Sequence, residues 1–362
     1  MSDGPIMIMA GGTGGHVFPG LAVAEEIRNR SGSVVWMGTR KGLEARLVPA
    51  AGIEVEWISV SGVRGRGVFA WLVAPFRLVL AVFQALIMLR RRRPVAVLGL
   101  GGFVSGPGGI AAWLSGRPLL VHEQNAIPGT TNRILASLAQ RVFEAFPQSF
   151  PATVQAELIG NPVRREILNL PMPVDRIKAR KDSLFRVLVL GGSQGARVLN
   201  RRVPEALAKL PDDLEFDIWH QAGRGLEEAR EAYAKFEVEV RLDAFVGDMA
   251  RAYGWADLVI CRAGALTIAE LAAAGLGAIL VPYPYAIDDH QTHNARSFVS
   301  RGAGIVIPES ELTPERLARE LVELSEDRKN LVQLGQSARA QALPDAAIKL
   351  ADVCFEFAKV RS

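Results

Sequence analysis

The sequence predicts an α/β protein made of two doubly wound parallel-sheet domains facing a cleft. Three observations predict it. Short apolar runs alternate with stretches of helical spacing along most of the chain. The succession of strand, glycine-rich turn and helix that opens the chain at residues 6–30 begins again at residues 186–210. At 362 residues the chain is also too long for one ordinary core, so two domains are expected.

In the first half, Ile6-Met7-Ile8-Met9-Ala10 reads as a buried strand. Residues 17–30 read as a helix, because Val17, Leu21, Ala24 and Ile27 recur at helical spacing. Between them lies Gly11-Gly12-Thr13-Gly14-Gly15-His16, whose glycines let the main chain approach a ligand closely. The same hexapeptide is also compatible with a tight connection that binds nothing, although His16 is an unusual residue for a mere turn. Further strands follow at 34–37 and 55–60, with a helix at 43–51 closed by Gly52. The strand at 95–100 runs into Gly101-Gly102-Phe103-Val104-Ser105-Gly106-Pro107, and the strand at 119–121 into His122-Glu123-Gln124-Asn125. Two more strands, at 142–145 and 156–159, lead to Gly160-Asn161-Pro162-Val163-Arg164. Ligands of such sheets sit at the carboxyl ends of the strands, where these polar turns fall.

Residues 1–162 are therefore expected to form an N-terminal domain, and the proline-containing, mixed-charge stretch 163–185 a linker. Residues 186–343 form the second domain, and 344–362 a last amphipathic helix that can pack back on the first. In the second domain the strand at 186–190 leads into Gly191-Gly192-Ser193-Gln194-Gly195-Ala196 and a helix at 197–210. Strands at 216–220, 238–242, 258–261 and 278–281 follow. After Cys261 the chain reads Arg262-Ala263-Gly264-Ala265-Leu266-Thr267, opening a helix that carries Glu270 one turn on. The N–H groups of Ala265, Leu266 and Thr267 and the Thr267 hydroxyl suit an anion, and Glu270 suits a ribose diol. Both side chains are equally at home as ordinary first-turn residues. Pro282-Tyr283-Pro284-Tyr285 and Asp288-Asp289-His290-Gln291-Thr292-His293-Asn294 then form a dense polar cluster.

Composition narrows the function. Half the residues are apolar (49%) and 22% are charged, as in a globular protein. Cys261 and Cys354 lie far apart without metal-ligand spacing, which predicts a reducing compartment and no structural zinc. No basic segment followed by a continuous apolar core opens the chain, so no signal peptide is expected. Neither an H-E-x-x-H nor a D-x-D motif occurs, so no metal and no other cofactor is expected. Net charge is +4, from +6 in residues 1–162 (15 Lys+Arg less 9 Asp+Glu) and −2 in the remainder (27 less 29).

The excess includes Arg90-Arg91-Arg92-Arg93, directly after the most apolar stretch of the chain. Residues 68–89 hold only Arg77 and Gln84 as strongly polar side chains. Pro75 and Arg77 interrupt the stretch, so it is not expected to span a bilayer. It is either a large core helix or an apolar patch (Trp71, Leu72, Phe76, Leu80, Phe83) that dips into an anionic membrane surface beside the arginines. Nucleic acid is not expected, because aromatic and polar residues are not interleaved with the arginines.

Two glycine-turn domains suit a dinucleotide oxidoreductase or a sugar-nucleotide transferase. The first lacks support. Val17 stands where the third spaced glycine would be, and the second strand ends in Gly38-Thr39-Arg40 rather than in an acidic residue. A transferase needs a metal-free diphosphate site, which residues 265–267 and the turn at Ser193 can supply, and a base for an acceptor hydroxyl, which His16 can supply. A membrane-surface module that binds a UDP-sugar without catalysis is the remaining alternative.

Together, in register over nearly the whole chain, the motifs at 11–16, 101–107, 122–125, 160–164, 191–196, 262–270 and 289–294 resemble the MurG family. These are peripheral N-acetylglucosaminyltransferases that convert lipid I to lipid II in bacterial cell-wall synthesis. The resemblance implies a GT-B fold of two Rossmann-like domains, acting at the cytoplasmic face of the inner membrane. It implies UDP-GlcNAc as donor and polyprenyl-linked lipid I as acceptor, with inversion at the anomeric carbon. By motif, Thr13, Gly14, Gly15 and Asn125 would contact the GlcNAc moiety, and Arg164 and Ser193 would also line the donor site. Ala265, Leu266 and Thr267 would hold the diphosphate, Glu270 the ribose, and the backbone near Phe245 and Val246 the uracil. Gln291, or else His290, would address the sugar hydroxyls. His16 would be the catalytic base, with Glu123 and His122 as runners-up that could instead shape the Asn125 loop. Residues 68–89 with Arg90, Arg91, Arg92 and Arg93 correspond to the family's membrane patch.

Overall fold

The computed structural model describes residues 4–60, 67–180, 184–192 and 195–359, with the backbone alone at 67–72, 74 and 287. Ser193 and the side chains of Trp71 and Leu72 thus lie outside the described residues.

The chain divides into two compact units, Met1–Arg164 with Leu343–Ser362, and Arg165–Ala342. The first carries a seven-stranded sheet: β1 (Ile6–Ala10), β2 (Val34–Gly38), β3 (Glu54–Trp57), β4 (Ala96–Gly101), β5 (Leu119–Glu123), β6 (Arg141–Glu144) and β7 (Glu157–Leu158). Its order is β3-β2-β1-β4-β5-β6-β7, and every pair is parallel. The second carries six: β8 (Phe185–Leu190), β9 (Phe216–Gln221), β10 (Arg241–Asp243), β11 (Leu258–Cys261), β12 (Gly277–Leu280) and β13 (Gly304–Val306). They are again all parallel, in the order β10-β9-β8-β11-β12-β13. Each sheet reverses its winding next to its first strand, between β1 and β4 and between β8 and β11. Such a reversal opens a crevice at the carboxyl edge.

The uninterrupted apolar run of β1 follows from its place in the sheet. Its side chains alternate between two faces, and both faces are covered. Ile6, Ile8 and Ala10 join a core with Val17, Val23 and Ile27 from the helix Gly14–Asn29. Leu350, Ala351 and Cys354 of the last helix, Ala346–Lys359, complete that layer. Met7 and Met9 face the opposite layer, with Ala85 and Leu89 of the helix Gly67–Arg92 and Ala111 and Ala112 of the helix Ser105–Leu114.

Several elements differ from the sequence pattern. The first helix starts at Gly14 rather than at Val17, so His16 sits in its first turn. β13 carries too short an apolar run to announce itself. The helix Gly67–Arg92 continues through Pro75, which costs one backbone hydrogen bond but does not end it. No helix among the described residues is long and apolar enough to cross a membrane. Residues 163–185 include two short helices, Arg165–Leu168 and Pro173–Lys178.

Candidate active site

In the first unit the glycine turn is held by a carboxylate from elsewhere in the chain. Gly12 N–H donates to Glu44 Oε2 at 2.9 Å, and Thr39 donates to Glu44 Oε1 through N–H (3.0 Å) and Oγ1–H (2.8 Å). Glu44 is fully buried. Its carboxylate therefore engages the Gly12 N–H and ties the glycine turn to the residues that follow β2.

His16 lies half-buried against the end of β4, where Gly101 and Gly102 take positive φ. A Cβ on Gly101 would come within 2.8 Å of the His16 ring, so only glycine leaves the ring its place. His16 Nδ1 is 2.8 Å from Gln124 Oε1. The Gln124 amide nitrogen is 3.0 Å from His122 Nδ1 and 3.1 Å from the His122 carbonyl oxygen. His122 Nε2 in turn lies 2.8 Å from the Gly160 carbonyl oxygen. His122 and Gln124 are buried. Burial drives the His122 pKa down to about 4, the hydrogen bond to Gly160 opposing it, so this imidazole is neutral at neutral pH.

Glu123, also buried, closes β5 and organises the following loop. Its Oε1 accepts from Asn125 N–H (2.9 Å) and Asn125 Nδ2 (3.2 Å). Its Oε2 accepts from Gly129 N–H (3.1 Å) and Asn132 Nδ2 (2.8 Å). With both oxygens so engaged, the carboxylate holds the Asn125 loop in place. Asn125 is held by these bonds and by Ser149 Oγ–H, which donates to its carbonyl at 3.0 Å. Arg164 stacks over the Phe18 ring at 5.0 Å, on the helix that carries His16. Thr13 is exposed, and Gly14 and Gly15 are half-buried.

The second unit presents the anion-ready turn. The helix Ala265–Ala274 follows β11 and is preceded by Gly264 in extended conformation, with no acidic residue in its first turn. Ala265 and Leu266 are buried, and Thr267 is half-buried. At the other end Arg176 donates to the carbonyls of Ala274 and Gly275. Burial and nearby Arg180 lower the Arg176 pKa to about 10, so it stays charged and balances the negative end of the helix. Glu270 is buried, and its Oε2 accepts from Tyr253 Oη–H at 3.0 Å. Val246 is buried beside exposed Phe245. Gln291 Oε1 accepts from Tyr283 N–H at 2.9 Å, and the Tyr283 ring packs edge-on against that of Tyr285. His290 begins the helix His290–Val299, after Asp288 and Asp289 in left-handed backbone conformation.

The helix Gly67–Arg92 is inverted relative to a core helix. Ala81, Ala85 and Leu89 face inward, while Phe76, Val79, Leu80, Phe83 and Ile87 are exposed. Two of its polar side chains reach back to the protein: Gln84 Oε1 accepts from Ser59 N–H at 2.9 Å, and Arg91 donates to Glu56 at 2.6 Å. Arg92 pairs with both Glu56 and Glu54. Burial pushes the Glu56 pKa up, but the hydrogen bonds of Arg92 and Arg91 outweigh it and hold the group below its usual value. Arg91 and Arg92 are thus paired with glutamates, although Arg91, like Arg90 and Arg93, is exposed.

These features match known proteins from end to end. The model of the glycosyltransferase family 28 N-terminal domain matches residues 6–144, and that of the C-terminal domain matches residues 186–350. The chain belongs to glycosyltransferase family 28. Within curated proteins it is 57% identical to the UDP-N-acetylglucosamine–N-acetylmuramyl-(pentapeptide) pyrophosphoryl-undecaprenol N-acetylglucosamine transferase of Nitrosococcus oceani, covering 98% of both chains. Identity is 55% to the enzyme of the same name from Alkalilimnicola ehrlichii, over 98% of this chain and 99% of that one. The crystal structure of Acinetobacter baumannii MurG is similar with a TM-score of 0.82 at 39% identity, covering 98% and 99%. The two parallel-sheet units are of the GT-B class, and the family 28 chain is a glycosyltransferase. Sequence reasoning did not find Glu44, the role of Gln124, or Arg176. Their partners lie 32, 108 and 98 residues away, so no local motif marks them.

Proposed function

We propose that this chain transfers N-acetylglucosamine from UDP-GlcNAc to the 4-hydroxyl of the muramic acid of lipid I, giving lipid II. The observation that carries the reading is 57% identity over 98% of both chains to an enzyme whose name states that reaction. In the single displacement, the acceptor oxygen attacks the anomeric carbon opposite the leaving group. The new C–O bond forms as the bond to UDP breaks, and His16 takes the hydroxyl proton. An imidazole suits this role because its ordinary pKa lies near neutral pH. The start of the helix Ala265–Ala274 receives the diphosphate, the N–H groups of its first turn meeting the leaving-group charge. Glu270 binds the ribose and the backbone at Val246 the uracil. Thr13, Gly14, Gly15, Asn125, Arg164, Ser193 and Gln291 address the transferred sugar and the rest of the donor.

The exposed apolar stripe from Phe76 to Ile87, flanked by Arg90 and Arg93, rests on the anionic cytoplasmic surface of the inner membrane. That placement suits a lipid-linked acceptor. The decisive assay incubates the protein with labelled UDP-GlcNAc and lipid I and looks for the disaccharide lipid. His16→Ala should lose about 10²–10⁴-fold in kcat while keeping donor affinity. Near-full turnover of that variant would remove His16 from the mechanism.

A further inference from the structure

We infer that Gln124 and His122 are positioning residues that fix the tautomer of His16, holding its proton on Nδ1 and leaving Nε2 as the basic lone pair. The inference rests on His16 being the base, and it follows from hydrogen-bond accounting along one buried chain of groups. Both fixed points are backbone carbonyls, which can only accept. The Gly160 carbonyl oxygen lies 2.8 Å from His122 Nε2, so that nitrogen carries the His122 proton and Nδ1 has the lone pair. The His122 carbonyl oxygen lies 3.1 Å from one end of the Gln124 amide, so that end is the NH2 group. Its second hydrogen meets the His122 Nδ1 lone pair at 3.0 Å. The other end, Gln124 Oε1, must therefore be the oxygen, and it lies 2.8 Å from His16 Nδ1. An acceptor at that distance requires a donor, so His16 carries its proton on Nδ1.

The arrangement reverses a preference. A free imidazole side chain in water favours the proton on Nε2, the nitrogen that a base must keep bare. The relay resembles the carboxylate that orients the histidine of a serine protease, with a neutral amide in place of the charge. Neutrality of the whole chain depends on His122 staying unprotonated, which its complete burial ensures. The charged groups near this chain are otherwise engaged. Glu44 accepts from Gly12, Glu123 is bound by Asn125, Gly129 and Asn132, and Arg164 lies over Phe18.

The test reads the tautomer directly. Ring nitrogens of ¹⁵N-histidine-labelled protein are observed by long-range proton–nitrogen correlation in alkaline buffer, with His16→Gln identifying the signal. The native protein should show protonated Nδ1 and bare Nε2 at His16. Protonated Nε2 would overturn the inference whatever the activity of the protein. Gln124→Leu should convert the signal toward the free-imidazole preference and lower kcat about tenfold, with donor affinity within about twofold. An unchanged kcat in a folded Gln124→Leu protein would equally overturn it. Gln124→Glu restores the acceptor at His16 and adds a charge. It should recover part of kcat and move the acidic limb of the kcat profile to higher pH, since a neighbouring negative charge raises the imidazole pKa. A purely structural role for Gln124 predicts an unchanged His16 tautomer in Gln124→Leu. Loss of transfer in the native protein together with protonated Nδ1 would instead count against His16 as base.

Discussion

Replacing Phe76 and Phe83 together with serine should detach the protein from anionic vesicles without harming its fold. Phe76 is 76% exposed and Phe83 57% exposed, so neither contributes much to the core. A phenylalanine side chain offers roughly 200 Å² of surface, so the pair presents about 270 Å² of apolar area to solvent. Removing all of it from water would be worth about 6–7 kcal/mol at ~25 cal/mol per Å². A helix lying in the interface sinks only part of its face, which leaves about 3 kcal/mol for the pair. That corresponds to a loss of roughly a hundredfold in partitioning. Flotation with phosphatidylcholine–phosphatidylglycerol vesicles measures it, and thermal unfolding of the same variant checks the fold. Turnover on a water-soluble, short-chain lipid I analogue should stay unchanged. Native-like flotation of the double variant would refute the assignment of this helix as the membrane contact.

The arginine run offers a sharper comparison. Arg90→Gln with Arg93→Gln should weaken vesicle binding by about 1 kcal/mol per charge at low salt and have little effect on stability. Arg92→Gln should instead lower stability, because it leaves Glu56 beside Arg91 alone. Glu123→Gln replaces a four-fold acceptor with an amide that must turn a donor toward one of its N–H partners. A stability loss of about 1–3 kcal/mol in urea unfolding is expected, and a native-like midpoint would contradict the loop role. Glu270→Gln should reduce UDP affinity by about tenfold in calorimetric titration, since a charged acceptor is replaced by a neutral one. Stability should also fall with acid. His122 and His220 titrate at about 4 and about 3 in the folded chain against 6.5 unfolded. The unfolded state thus binds protons first, and stability is lost as pH falls from about 6.5 toward 4, by a few kcal/mol in all. Denaturant midpoints at pH 7.5 and 4.5 measure this, and His220→Gln should flatten the dependence.

The fold was legible because its signals are local. A strand buried on both faces is a continuous apolar run, and a helix after a glycine turn repeats every three or four residues. β1, β4, β8 and β11 therefore stand out unaided. β13 and the start of the first helix do not, since three partly buried residues and two helical glycines carry little propensity. The arginine run shows the same limit in another form. Its charge is plain in the sequence, but the glutamates that pair with Arg91 and Arg92 sit on β3, more than thirty positions away.

The two glycine turns carry the clearest case. Both follow the first strand of their sheet, and both look like phosphate cradles in sequence. What the local sequence does not carry is what distant residues bring to such a turn. Glu44 places a buried carboxylate on the Gly12 N–H, so that donor is already engaged in the first unit. Gly264 brings no side chain at all, and Arg176 strengthens the balance of the helix Ala265–Ala274 from its far end. On the proposed function the diphosphate belongs to the second unit. The first turn is left to hold an imidazole, and a neutral amide beneath it decides which nitrogen is bare.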